Sequence, residues 1–270
     1  MLLHGVTMTA ELSWSRVLER LGRSFRVVAP DLRGHGDGIP LDGTRFRIED
    51  SADDIAVLAK VLGIERFTAV GYSMGGMVAQ LLWRRHPQLV SGLVLCATAR
   101  NVQGSWLEKL TSIYLPAMTT ALYLNPFTKG ATAECLDGSL LGQIHDGSTR
   151  AWARAQLSRT SLPAAMSAVE SAVEFTSHEW IAEVDVPTAV LIPTADQLVP
   201  PSRQHRLARA IPHAKVFELP GDHTIFLNDP ACFGEVLVAA TRSVTSQNSH
   251  CSAQRNNLIF EPDRSRSALR

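Results

Sequence analysis

The sequence predicts an α/β fold, a mostly parallel, doubly wound sheet flanked by helices, with an inserted helical cap. Three observations carry that expectation. Short apolar runs of strand length alternate with stretches of helical periodicity, as in a parallel sheet covered on both faces. The helical stretches are long enough to cross between parallel strands. The alternation stops between about residues 99 and 181, where no convincing strand occurs, and then resumes.

The first apolar run, residues 26–29, ends at Pro30 and opens into Asp31-Leu32-Arg33-Gly34-His35-Gly36, a strand and its turn. Further runs at 67–70, 92–96, 188–192 and 214–218 read as four more strands. Between them, residues 48–62 carry Ile55, Leu58, Ala59 and Leu62 at helical spacing. Residues 74–85 form a second helix stopped near Pro87, with others expected at 203–211 and 230–244. The core therefore comprises residues 1–99 and 181–244, and 100–180 is the helical cap placed over the sheet. Its large apolar residues include Trp106, Tyr114, Leu115, Met118, Tyr123, Phe127, Trp152 and Met166. Most are expected in the cap's own small core, and a few on the surface facing the site. Residues 245–270, rich in Ser, Asn, Gln and Arg, read as a disordered tail.

Composition excludes several classes. The 270 residues hold 26 basic and 26 acidic side chains, so nothing points to a nucleic-acid partner. No apolar run reaches the roughly eighteen residues of a membrane span, so stable membrane insertion is not expected. The start, Met1-Leu2-Leu3-His4-Gly5, lacks a charged n-region and a long apolar stretch, and a cytoplasmic location follows as the expectation. Cys96, Cys135, Cys232 and Cys251 form no C-x-x-C pair and lie at no zinc spacing from histidines, so they read as free thiols. No metal and no cofactor is expected. The expected partner is a small-molecule substrate, and the pattern leaves the oligomeric state open.

Gly71-Tyr72-Ser73-Met74-Gly75 is a G-x-S-x-G match. Three fixed positions arise by chance about once in ten chains of this size. Context strengthens it: the motif follows an apolar run and opens a helix, the strand–turn–helix setting of a nucleophile elbow. Ser73 would stand at a helix N-terminus, where free N–H groups favour developing negative charge. A serine hydroxyl needs a base. His223, in Pro220-Gly221-Asp222-His223 after the last strand, is the candidate, with His35 the runner-up. His86, His205 and His213 lie in or beside helices and read as surface residues. Asp196 follows the strand at 188–192 and is the candidate carboxylate, while Asp222, Asp229 and Asp185 are weaker alternatives. The order Ser73, Asp196, His223 suits this elbow. The oxyanion donors are expected to be the N–H groups of Met74 and Val6, with His4 holding the Val6 loop by hydrogen bonds.

With these residues in hand, the chain resembles the α/β-hydrolase family. The pieces that match are Leu2-Leu3-His4-Gly5, Asp31-Leu32-Arg33-Gly34-His35-Gly36, Gly71-Tyr72-Ser73-Met74-Gly75-Gly76, Ala195-Asp196-Gln197-Leu198-Val199-Pro200 and Gly221-Asp222-His223, in the family's order. The resemblance implies a carboxylic ester hydrolase acting on a small, largely apolar substrate through an acyl-enzyme on Ser73. A cofactor-free haloperoxidase (perhydrolase) or a carbon–carbon bond hydrolase on the same triad is the alternative. It also implies two strands and most of a third before the His-Gly loop, where this sequence has only Met1-Leu2-Leu3. That third strand should lie between residues 26–29 and 67–70. A start placed too late would explain the difference. A truncated, inactive hydrolase-like protein is the non-enzymatic reading.

Overall fold

The computed structural model describes residues 1–102 and 141–257, with side chains described through residue 246. Five parallel strands lie side by side in chain order: β1 Leu2–Leu3, β2 Phe67–Tyr72, β3 Val90–Cys96, β4 Thr188–Pro193 and β5 Lys215–Leu219. Successive side chains leave opposite faces of a strand. Leu93, Leu95, Val190 and Ile192 therefore join one core, and Val94, Cys96, Ala189 and Leu191 the other.

Helices cover both cores. Ile55 and Ala59 of α2 (Ile48–Val61), Val78 and Leu82 of α3 (Met74–Arg85) and Leu207 of α6 (Pro201–Ala210) pack on the first. Trp14, Val17 and Leu21 of α1 (Ala10–Gly22) pack on the second, with Phe233, Leu237 and Ala240 of α8 (Pro230–Asn257). The short α7, Ile225–Asn228, adds Ile225, Phe226 and Leu227 to that core. Helix α1 was not among the expected elements. Its start is doubly capped: Thr9 Oγ1 accepts from Leu12 N–H at 3.0 Å, and Asp31 Oδ1 from Ala10 N–H at 2.6 Å.

Two expectations need correction. Residues 26–29, expected as the first strand, form no β-ladder. They run beside β1, whose Leu2 N–H donates to Val28 O at 2.8 Å. This single bond does not repeat, and a ladder needs a regular series of them. The stub does occupy the expected place, between Val28 and β2, with Leu2 opposite Val70 and Leu3 opposite Gly71. A cavity of about 780 Å³ opens beside it, lined by Leu21, Phe25, Val28, Phe67 and Thr68 among others. Second, the final helix does not end near Val244, and the stretch after it is not an unstructured tail as far as Asn257. No Gly or Pro falls between residues 245 and 257 to interrupt the hydrogen-bond ladder. Residues 258–270 lie outside the described residues.

The described part of the stretch expected as a cap is helical: a 3₁₀ turn at Leu141–Gln143, α4 at Gly147–Leu157 and α5 at Leu162–Glu174. Its two ends meet in an antiparallel bridge between Asn101 and Thr176. Buried Gln80 reinforces the junction, donating to Ala99 O at 3.2 Å and accepting from Ser177 Oγ at 2.7 Å. Phe46 N–H and Ile48 N–H donate to the hydroxyls of Ser167 and Ser171, which fastens α5 to the core. Trp152 and Met166 are half-buried, and the other apolar residues named for the cap lie outside the described residues. No helix among the described residues is long and apolar enough to cross a membrane.

The Met1 α-amino group is buried and donates to Thr68 O at 3.0 Å.

Candidate active site

Ser73 stands between β2 and α3 with φ 53°, left-handed for a non-glycine residue. Its N–H donates to Cys96 O at 2.8 Å, and its C=O accepts from Gly76 N–H at 2.9 Å. The turn is possible because the flanking glycines leave no Cβ. A Cβ on Gly71 would lie 2.2 Å from Gly75 O, and one on Gly75 would lie 2.1 Å from Leu3 O. Both contacts are with backbone, which cannot swing aside.

Three residues far apart in sequence meet here. His223 Nε2 lies 3.1 Å from Ser73 Oγ, and His223 Nδ1 lies 2.8 Å from Asp196 Oδ2. All three are buried, Ser73 the least so. Asp196 follows β4, and its other oxygen, Oδ1, accepts from Leu198 N–H and Val199 N–H, both at 2.9 Å. That local turn spends Oδ1 and leaves Oδ2 facing His223. A hydroxyl, an imidazole and a carboxylate in series can pass the hydroxyl proton to the imidazole while the carboxylate steadies the resulting charge.

The weaker carboxylates lie elsewhere. Asp222 caps its own turn through Thr224 N–H and Thr224 Oγ1. Asp229 accepts from Cys232 N–H, and Asp185 from Trp83 Nε1. Of the other histidines, His86 pairs with Asp53, His205 pairs with Glu218, and His213 is exposed.

Gly5 sits beside the serine, since a Cβ on it would lie 3.5 Å from Ser73 Cβ. Met74 is the first residue of α3, so its N–H has no partner within the helix. Gly5 O accepts from Met8 N–H at 3.3 Å and lies 2.8 Å from His4 Nδ1. Because a trans peptide is planar, holding Gly5 O directs the Val6 N–H of the same unit the opposite way. His4 Nε2 accepts from Leu32 N–H at 2.9 Å, which makes Nδ1 the protonated nitrogen that donates to Gly5 O. Burial holds the His4 pKa below its ordinary value, so the ring stays neutral.

Two residues of this arrangement escape sequence reasoning. Tyr72 lies within the motif, and its hydroxyl donates to His223 O at 2.8 Å while its ring meets the imidazole edge-on at 5.5 Å. Gln204 of α6 is fully buried, and its Nε2 bridges Asp196 Oδ2 at 3.1 Å and Val199 O at 2.7 Å. Its only sequence signal is a glutamine at a position of α6 that turns inward with Leu207 and Ala208.

A family model described as "alpha/beta hydrolase fold" matches residues 1–230. A putative carbamate hydrolase, RutD of Serratia proteamaculans, is 28% identical over 242 residues, covering 83% of this chain and 84% of that protein. A thermophilic esterase from Thermogutta terrifontis superposes with a TM-score of 0.73 at 25% identity, covering 90% of this chain and 89% of that one. An enol-lactonase from Burkholderia xenovorans shares the fold, with a TM-score of 0.69 at 23% identity and coverage of 88% of each chain.

Two outcomes test the packing described. Gly75→Ala should cost about 3 kcal/mol in chemical denaturation, because its Cβ meets backbone. Gly147→Ala, with nothing within 4 Å of its Cβ, should change stability little. Gln204→Leu should cost about 1–3 kcal/mol for the donor withdrawn from two buried acceptors. In Gln204→Glu the deficit should be larger at neutral pH, where two carboxylates repel, and shrink on acidification as the new carboxyl takes up a proton.

Proposed function

The chain belongs to the α/β-hydrolase family, and on that premise we propose that it is a serine hydrolase cleaving an ester-type bond of a small, largely apolar substrate. The observation that carries this reading is the unbroken line from Ser73 Oγ through His223 to Asp196 Oδ2. Ser73 Oγ attacks the substrate carbonyl as His223 Nε2 takes its proton, and Asp196 stabilises the imidazolium. The developing oxyanion takes hydrogen bonds from Met74 N–H and Val6 N–H, the former at the positive end of α3. Collapse of the intermediate expels the alcohol, which receives the proton from His223, and leaves an acyl group on Ser73. Water, deprotonated by the same imidazole, then releases the carboxylic acid. The apolar composition of residues 100–180 supports an apolar acyl group.

The similarity to a putative carbamate hydrolase over most of both chains favours a second reading. A carbamate presents the same carbonyl to the same nucleophile, but its nitrogen donates electrons and makes that carbonyl less electrophilic. Relative turnover of matched esters and carbamates separates the two.

The chain should react with a fluorophosphonate probe and release nitrophenol from generic nitrophenyl esters. Ser73→Ala should abolish labelling and lower ester turnover by about 10⁴-fold or more. Labelling that persists in the alanine variant would falsify the nucleophile assignment.

A further inference from the structure

His35, the runner-up base, is committed at both ring nitrogens. Its Nδ1 lies 2.9 Å from Arg33 O, and its Nε2 accepts from Thr7 N–H at 3.1 Å. A ring that accepts at Nε2 must carry its proton on Nδ1 and donate to Arg33 O. The imidazole is buried and meets the rings of His4 and Phe46 edge-on, with centroids 5.1 and 5.6 Å apart. Burial, reinforced by His4, lowers its pKa to about 3 and keeps it neutral. No nitrogen remains to take a proton from Ser73.

Its partner is unusual. Thr7 has φ 64°, a left-handed conformation that a β-branched residue resists. Nothing covalent holds it there. The Thr7 amide follows directly on the Gly5–Val6 peptide unit that carries the Val6 N–H. The two buried histidines thus serve each other's loops. His4, in the loop after β1, accepts from Leu32 N–H, and His35, in the loop after residues 26–29, accepts from Thr7 N–H.

We propose that His35 is a positioning residue of the oxyanion loop: its Nε2 pins Thr7 in the left-handed conformation and so keeps the Val6 N–H aimed at the oxyanion. The inference rests on the serine-hydrolase reading for its kinetic consequence, but the clamp itself can be read without turnover.

His35→Phe keeps a flat ring against His4 and Phe46 and removes the acceptor. With nitrophenyl esters it should lower kcat by about 10–100-fold with KM within about twofold, because the oxyanion contact forms fully only in the transition state. Glycine adopts positive φ without strain, so Thr7→Gly removes the need for the clamp. Added to His35→Phe, it should restore kcat several-fold. Unchanged kcat in His35→Phe, or a double variant no better than it, overturns the proposal. Amide hydrogen exchange by NMR reads the clamp directly, with Thr7 N–H protected in the wild-type chain and exposed in His35→Phe. A Thr7 amide that exchanges freely in the wild-type chain overturns the proposal even if Ser73-dependent turnover is absent. Should His35→Phe not fold, His35→Gln, whose Oε1 can accept from Thr7 N–H, should keep kcat within about threefold, and a loss as large as that expected for phenylalanine overturns it.

Discussion

The arrangement around Ser73 depends on one close approach, the first turn of α3 against the end of β1. Gly75 comes so near Leu3 O that any side chain would collide with it. This contact brings the loop after β1 beside the serine and sets Gly5 against the Ser73 side chain. It also explains how a strand of only two residues retains a role. Leu2 and Leu3 pair with Val70 and Gly71, immediately before the elbow, so the short ladder lies where the loop must be held. The opposite end of the stub borders the cavity lined by Phe25, Val28 and Phe67.

A second constraint is the supply of hydrogen bonds to a buried carboxylate. Asp196 accepts two backbone N–H groups at Oδ1, and at Oδ2 it meets Gln204 Nε2 and His223 Nδ1. A carboxylate removed from water needs such donors to remain charged. Gln204 carries a cost, since its Oε1 is buried without a partner among the described residues. Its amide orientation follows from its neighbours: both groups within reach of Nε2 are acceptors. Tyr72 adds support from the other side by holding His223 O.

The sequence pattern marks β2 to β5, α2, α3 and α6 within a residue or two, because the strands are short apolar runs and the helices repeat apolar residues at the helical period. Residues 26–29 are as apolar as a strand yet make no ladder, since pairing depends on a neighbour the pattern does not contain. Helix α1 has Trp14, Val17 and Leu21 at helical spacing, but its start rests partly on Asp31, twenty-one positions beyond the amide it accepts from. The composition of residues 245–257 suggests disorder, while the backbone, free of Gly and Pro, remains helical.

Amino-acid order alone shows which residues can make a nucleophile elbow, in what order a base and a carboxylate follow it, and that β3 and β4 are buried on both faces. These are properties of residue type, spacing and local conformation. Packing in three dimensions brings His223 and Asp196 within hydrogen-bond distance in line with Ser73, carries Gln204 to the carboxylate, and sets His35 on Thr7 rather than the serine. Periodicity reports how a segment meets the core, whereas a side-chain hydrogen bond between residues 28 or 150 positions apart depends on where the packed sheet and helices place their ends.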